Sequence, residues 1–260
     1  MKHRGQLPAI LAIFIGLALG SAHGQITAQT DAHDLAAAAT APPGPVPNPM
    51  PDKEFVVITG GVSLYEWEKF KAQPHDHWWA NFVHASRNRF DQMRQQYGWG
   101  VRITWLVYRP AYQRRSQQEG RDVLALINSV RDAERLNLVW FDNTSDLVDY
   151  LNFGQDRSRV KIADLEYFGH SNKACWMFDY SNQIDSASKC WLHDSELGQI
   201  RRGDFAHGAF VKSWGCHTGE EMSSYWRTAT GTRMYGAIGR TDYSNDYEVV
   251  LSTPGGKWVY

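Results

Sequence analysis

The chain has 260 residues and a formal net charge of −1 at neutral pH, and 43% of its residues are hydrophobic. Lysines and arginines are scattered along the chain rather than gathered in a basic stripe, which argues against nucleic acid as a partner. Without the N-terminal segments 1–24 and 25–52, the chain still has enough residues, 53–260, to form one hydrophobic core. A single folded domain over 53–260 is therefore expected.

The N-terminus has the pattern of a secretory signal peptide. A positive start at 2–4 precedes an apolar run at 7–19, and small residues around Ser21 and Ala22 offer a cleavage site. The run of about 13 residues is shorter than the roughly 20 that a membrane-spanning helix needs. The sequence predicts a signal peptide over 1–24, and hence a secreted or periplasmic protein.

The segment at 25–52 is rich in alanine and proline. Such a composition buries too little apolar surface to stay folded, so it predicts a flexible linker or a pro-segment. No later segment is long and apolar enough to span a membrane, so no membrane insertion is expected after the signal peptide is cleaved.

The folded part begins with a β-branched run at 55–59, closed by two glycines, which is typical of a buried parallel strand. A helix over 76–97 follows, with Asp76 as its cap and Gly98 as its stop. Further strands are predicted at 101–108, 136–141, 160–168, 209–214 and 233–239, and further helices at 120–133, 144–151, 194–201 and 220–228. This alternation predicts an α/β domain with a mainly parallel sheet of about six strands.

Two reactive residues follow predicted strands, at the sheet edge where open α/β sheets bind ligands. Cys216 follows the fifth strand and precedes a predicted helix, whose N-terminus would favour a thiolate. His170 follows the fourth strand and could accept the thiol proton and return it to a leaving group. Backbone N–H groups around the two would stabilise an oxyanion, and the candidates are those of Gly169, Ser171, Gly215 and His217.

Counting cysteines favours the same residue. Cys175 and Cys190 flank one polar loop, and in an exported chain they are predicted to form a disulfide. This pairing would leave Cys216 as a free thiol. No spacing typical of a zinc site is present, so the sequence predicts neither a metal nor another cofactor.

These motifs resemble those of a known family. The residues YFGH end at His170, and GCHTG surrounds Cys216, 46 positions later. The chain resembles the caspase-like cysteine peptidases, which include gingipains, clostripain, separase and the bacterial CHAT domains. In that family a His-Gly at one strand end is followed about 50 residues later by an Ala-Cys-x-Gly motif. The resemblance covers roughly 55–244, with Ser171 where the family has glycine and Gly215 where it has alanine or serine.

The resemblance implies a caspase-like, three-layer αβα sandwich and an exported cysteine endopeptidase that hydrolyses peptide bonds with a His170/Cys216 dyad. Its substrate would be a peptide or protein, cleaved after a selected P1 side chain. Candidate pocket residues in the strand-end loops are Asp242, Trp214 and Glu220. The carboxylates of Asp242 and Glu220 could pair with a basic P1 side chain. Alternatively, Asp242 could simply belong to a turn and Glu220 could favour a helix N-terminus.

Other interpretations remain open on the sequence alone. Gly169 to Lys173 is a near match to the G-x-S-x-G elbow, which would make Ser171 the nucleophile of an α/β-hydrolase-type serine esterase. His217, next to Cys216, is a second candidate base. The domain could also be a catalytically silent module that binds a peptide or a glycan.

Overall fold

The structure, a computed structural model, describes residues 44–62, 78–180, 190–245 and 247–260. The predicted signal peptide and most of the predicted linker lie outside these residues and stay predictions. The described end of that linker contacts the domain, because the Lys161 amide donates to the Asp52 carbonyl at 2.8 Å. Within the described residues, no helix combines the length and the apolar character needed to cross a membrane.

Twelve strands and five α-helices are present in the described residues. The strands are β1 Lys53–Thr59, β2 Ile103–Tyr108, β3 Asn137–Phe141, β4 Lys161–Phe168, β5 His170–Ser171, β6 Cys175–Met177, β7 Trp191–His193, β8 Phe205–Ser213, β9 Gly236–Ile238, β10 Thr241–Asp242, β11 Val250–Leu251 and β12 Lys257–Val259. The α-helices are α1 Asn81–Tyr97, α2 Arg109–Glu119, α3 Val123–Glu134, α4 Thr144–Phe153 and α5 Met222–Thr230.

The central sheet has five strands in the order β3-β2-β1-β4-β8, and every neighbouring pair is parallel. Strands β1 and β2 are buried almost throughout because helices cover both faces of the sheet. Helices α1 and α3 pack on one face, where Phe90 meets Trp105 at 5.4 Å, and helices α4 and α5 pack on the other. The predicted α/β class and the mainly parallel sheet are confirmed.

The sixth predicted strand, 233–239, does not join the central sheet as a full strand. Only Tyr235 forms a parallel bridge to it, with Lys212, and the chain then turns away as β9. Strand β9 pairs antiparallel with β12, and its Ala237 carbonyl accepts the N–H of Gly219 from the loop after β8. The central sheet therefore has five strands rather than about six.

The predicted helices are found with changes at their ends. Helix α1 ends at Gly98 as expected, with φ of 87°, whereas the predicted cap Asp76 lies outside the described residues. Helix α4 is capped by Asn143 rather than by Thr144 or Ser145. The predicted helix over 194–201 is a 3-10 helix, Asp194–Gln199.

After β4 the chain enters a small antiparallel sheet of β5, β6 and β7 rather than a helix. A nucleophile elbow must run from a strand directly into a helix. The local structure after Ser171 is therefore that of a hairpin, and it does not support the serine esterase interpretation.

Candidate functional site

Parallel pairing of β4 and β8 brings the two predicted reactive residues to one edge of the sheet. Tyr167 is aligned with Ser213, and the Trp214 amide donates to the Tyr167 carbonyl at 2.8 Å. His170 and Cys216 each lie three residues beyond the aligned pair. The carboxyl ends of neighbouring parallel strands meet at the same edge, so these two residues share that edge.

A tyrosine that the sequence reasoning missed ties the two strand ends together. The Tyr243 hydroxyl accepts the Gly169 N–H at 3.2 Å and donates to the Trp214 carbonyl at 3.1 Å. Its ring packs edge-on against Phe82 of α1 at 4.8 Å. Burial raises the pKa of Tyr243 well above its ordinary value, so the phenol stays protonated and can donate.

Ser171 and Gly215, the two departures from the family pattern, are complementary. The Ser171 hydroxyl donates to the Cys216 carbonyl at 2.7 Å, across the gap between the strand ends. A Cβ atom at position 215 would clash with this hydroxyl group. The serine therefore requires a glycine at 215, and the pair adds a second link between the two segments.

The thiol of Cys216 is partly exposed and bonded to β10. The Thr241 N–H donates to Sγ at 3.4 Å, and the Thr241 hydroxyl lies 3.5 Å from Sγ. The sulfur also lies 3.9 Å from the Thr241 carbonyl, to which an S–H can donate. These contacts were not predicted, because Thr241 belongs to a strand formed after the nucleophile loop.

The imidazole of His170 lies between two aromatic rings. It meets Phe82 edge-on at 4.9 Å and Tyr180 at 4.5 Å. Phe82 belongs to α1, so the imidazole lies on the same face of the sheet as that helix. Tyr243 contacts Phe82 on the same face and donates to the Trp214 carbonyl, which links the surroundings of His170 to those of Trp214.

The predicted oxyanion donors divide into engaged and unengaged groups. The Gly169 N–H is bonded to Tyr243, and the His217 N–H donates to the Gly239 carbonyl at 2.7 Å. Of the predicted donors, Gly215 has an amide without a hydrogen-bond partner in the part of the chain that the structure describes, and the amide of Cys216, which was not predicted, is in the same state. These two amides lie in the turn that carries the sulfur, so they are better placed to bind an oxyanion than Ser171, which lies in β5.

The expectation that a helix N-terminus acts on Cys216 is not met. Helix α5 begins at Met222, after an intervening turn. The Met222 N–H donates to the Lys173 carbonyl, and the Ser223 N–H donates to the Thr218 carbonyl. Because the helix-dipole effect falls off within the first turn, α5 contributes little at the sulfur.

His217 and Glu220 contact each other. The His217 Nδ1 atom lies 2.6 Å from Glu220 Oε1, and both side chains are about one-third exposed. This hydrogen bond lowers the pKa of Glu220 below its ordinary value. Glu220 is thereby committed to His217, whereas the Asp242 carboxylate accepts the Ser244 N–H at 2.8 Å in a turn.

The predicted disulfide between Cys175 and Cys190 is wrong, because all three cysteines are free. Cys175 pairs with His193 in the β6–β7 ladder, whereas the Cys190 carbonyl accepts the N–H of Phe178 near the other end. Three residues along a ladder correspond to roughly 10 Å, beyond the roughly 7 Å Cα separation that a disulfide tolerates. Cys216 is therefore one of three free thiols rather than the one that a disulfide leaves unpaired.

A cavity open to solvent lies beside the strand ends, between α1 and residues 243, 245 and 247–249. Phe168, Trp214 and Tyr243 form its aromatic walls, and polar side chains such as Gln92 and Glu248 line the rest. Phe168 and Trp214 stack on each other at 5.7 Å. Each stands two residues before a predicted reactive residue, so the cavity adjoins the two strand ends, although neither His170 nor Cys216 lines it.

A buried ionic cluster supports the Trp214 wall. The Trp214 indole N–H donates to Glu166 at 2.6 Å, and Glu166 also pairs with Arg89 of α1. The ammonium of Lys212 lies 3.2 Å from the centre of the Trp214 ring, and burial lowers the pKa of Lys212 to about 8. Asp164, buried beside Glu166 and Arg89, has a pKa raised well above its usual range by burial, and its carboxylate is not available to a substrate.

The structure thus brings His170, Cys216, Gly215 and Trp214 to one edge of the sheet, and it separates Cys175 from Cys190. Sequence reasoning missed Tyr243 and Thr241, which connect these residues. Comparison of the chain with known protein families, with curated proteins and with solved structures found no match.

Proposed function

We propose that the protein is an exported cysteine endopeptidase with a caspase-like fold, in which Cys216 is the nucleophile and His170 transfers the proton. The observation that carries the proposal is the turn at 214–217. It holds a partly exposed sulfur that accepts the Thr241 N–H, together with two amides that lack a partner among the described residues. A nucleophile and oxyanion donors within one turn are what acyl transfer requires.

The chemistry follows from this arrangement. The Cys216 sulfur attacks the carbonyl carbon of the scissile peptide bond, and the resulting oxyanion accepts hydrogen bonds from the Gly215 and Cys216 amides. His170, having taken the thiol proton, gives it to the leaving amine as the carbon–nitrogen bond breaks. Water then attacks the thioester while His170 accepts a proton, and this step releases the acid product and restores the thiol.

The cavity beside Trp214 supports recognition of one substrate side chain. Its walls include the aromatic rings of Phe168, Trp214 and Tyr243, which suit an apolar or aromatic side chain. Trp214 is both a wall of this cavity and the first residue of the 214–217 turn, so a side chain bound there would lie beside the turn. The pocket role predicted for Trp214 is kept, whereas Glu220 is committed to His217.

A second candidate function is a binding module without catalysis. It is favoured by the aromatic cavity beside the strand ends, which neither His170 nor Cys216 lines. In this case the aromatic cavity would hold a peptide side chain, and the thiol would be structural.

Cleavage of a peptide mixture that presents all twenty side chains at the cut position, read by mass spectrometry, tests the proposal. Wild type is expected to cut after a restricted set of residues, and Cys216→Ala to fall below about one thousandth of that rate. Cys175→Ala is the matched control and should retain activity, because its thiol is buried in the hairpin sheet.

Equal cleavage by wild type and Cys216→Ala would refute the peptidase proposal. If wild type cuts no peptide but binds some of them, and a His170→Ala/Cys216→Ala protein binds them equally well, the binding module is the correct function.

A further inference from the structure

The residue after Cys216 has a backbone conformation that is unusual for an amino acid with a side chain. His217 has φ of 64°, in the left-handed region that favours glycine and is unfavourable for residues with a side chain. Among the described non-glycine residues only Arg135 shares a positive φ, and Arg135 ends helix α3, where this conformation is common. His217 lies in no such cap, and its strain belongs to the turn that carries the thiol.

This conformation directs the His217 side chain to Glu220. A carboxylate can only accept hydrogen bonds, so the 2.6 Å contact places the proton on the Nδ1 atom of His217. The same Glu220 oxygen accepts the N–H of Gly239 at 3.1 Å, and the His217 N–H donates to the Gly239 carbonyl at 2.7 Å. Both backbone groups of Gly239 are therefore held by this pair.

Holding Gly239 fixes the residue that bonds to the sulfur. Gly239 has φ of 93°, and a Cβ atom there would clash with Thr253, so the chain has little freedom at this point. Two residues later the Thr241 N–H reaches Cys216 Sγ at 3.4 Å. The contacts form a closed ring that begins and ends at Cys216.

We propose that His217 and Glu220 are positioning residues, which grip Gly239 and thereby hold the Thr241 amide on the Cys216 sulfur. The amide stabilises the thiolate in the way that hydrogen bonds to a charged form do. That Cys216 needs to be reactive rests on the proposed function. The left-handed backbone at His217 directs its ring to Glu220 rather than into solvent.

The rate at which iodoacetamide alkylates Cys216 in the folded full chain at pH 7 tests this inference without any substrate. His217→Gly is favoured at the left-handed φ but loses the Glu220 contact, so unfolding stability should be unchanged or higher while the rate falls about tenfold, the effect of one hydrogen bond to a charged group. His217→Asn tolerates the same φ and can donate to Glu220, so it should restore most of the rate.

Glu220→Ala is expected to lower the rate as His217→Gly does. The matched control is Glu221→Gln, whose native carboxylate pairs with Lys173 on the surface and should leave the rate within about twofold. The inference is overturned if His217→Gly alkylates at the wild-type rate, if His217→Asn is as slow as His217→Gly, or if Glu221→Gln is as slow as Glu220→Ala.

Failure of this inference and failure of the proposed function give different results. Hydrolysis that survives Cys216→Ala refutes the peptidase proposal whatever the alkylation rates are. Unchanged alkylation of the His217 and Glu220 variants refutes the positioning role even when Cys216→Ala abolishes hydrolysis.

Discussion

The three thiols of this protein lie in two very different regions. Cys175 and Cys190 belong to the small antiparallel sheet that follows β4, and each is only 1% exposed. Burial raises the pKa of both thiols to about 12. Cys216 lies at the open end of β8, is partly exposed, and accepts an amide hydrogen bond at its sulfur.

The difference shows that surroundings, not residue type, decide what a thiol can do. The buried thiols also contact polar atoms, since Cys175 lies 3.3 Å from the Asn172 side-chain oxygen and Cys190 lies 3.7 Å from the Thr144 hydroxyl, so it is burial that raises their pKa. The Cys216 thiol is instead partly exposed, and it contacts the N–H, hydroxyl and carbonyl groups of Thr241. The two regions are thus expected to differ in reactivity, stability and pH response.

The largest expected effect is on alkylation of the native protein. Iodoacetamide should label Cys216, whereas Cys175 and Cys190 should react at least about 10⁴-fold more slowly, because the core must open before the reagent can reach them. Peptide mapping after alkylation without a reductant measures this, and unfolding in urea should make all three sites react. Native labelling of either hairpin cysteine, or recovery of the two as one linked peptide, would contradict the contrast.

The next effect concerns the imidazole at the same edge. His170→Ala should lower kcat by roughly 10²- to 10⁴-fold, the usual contribution of a proton-transfer residue. His207→Ala, an exposed histidine on β8, is the matched control and should change kcat little. Steady-state kinetics on the best peptide gives both values. Equal kcat for wild type and His170→Ala would remove this histidine from the mechanism.

A smaller effect is expected at Tyr243, which bridges the two strand ends. Tyr243→Phe keeps the ring on Phe82 but removes a hydroxyl that serves both the Gly169 N–H and the Trp214 carbonyl. Leaving those groups unsatisfied should lower the free energy of unfolding by about 1–3 kcal/mol, and should lower kcat/KM about tenfold. Urea unfolding and kinetics measure the two, and Tyr225→Phe, at an exposed tyrosine of α5 outside the cavity, should change neither.

Much of the fold was predictable because its strands are continuous apolar runs. The runs at 55–59 and 101–108 became β1 and β2 with small shifts at their ends. The meeting of His170 and Cys216 at one edge followed from the alternation of strands and helices, since this pattern forces neighbouring strands to run parallel. Helix α2 was missed because its stretch after Pro110 is polar on every side and shows no apolar periodicity.

The connections across the site could not be predicted from local patterns. Thr241 and Tyr243 reach the strand ends only because β10 folds back and pairs with β11. The disulfide was predicted from the number of cysteines, which carries no information about how strands pair. The register of β6 against β7 separates Cys175 from Cys190. The helix expected directly after Cys216 begins later, because the turn holding His217 comes first.

The smallest expected effect is the contribution of Cys175 and Cys190 to the free energy of unfolding at high pH. Below about pH 8 the thiols of Cys175 and Cys190 are largely protonated in both the folded and the unfolded chain, so their ionisation hardly affects stability. Above it the unfolded thiols lose protons while the folded ones, with pKa values of about 12, do not. Each thiol should therefore lower the free energy of unfolding by about 1.4 kcal/mol per pH unit until about pH 12.

Urea unfolding under reductant at pH 9, 10 and 10.5 measures this slope, and a Cys175→Ala/Cys190→Ala protein should show a slope shallower by about 2.8 kcal/mol per pH unit. Tyrosines and lysines that titrate in the same range are common to both proteins, so the difference reports chiefly on the two thiols. Between pH 6 and 8 the two curves should run parallel, which controls for the loss of packing. Parallel curves above pH 9 as well would mean that the hairpin thiols ionise as easily when folded as when unfolded, and the contrast between the two regions would then rest on access alone.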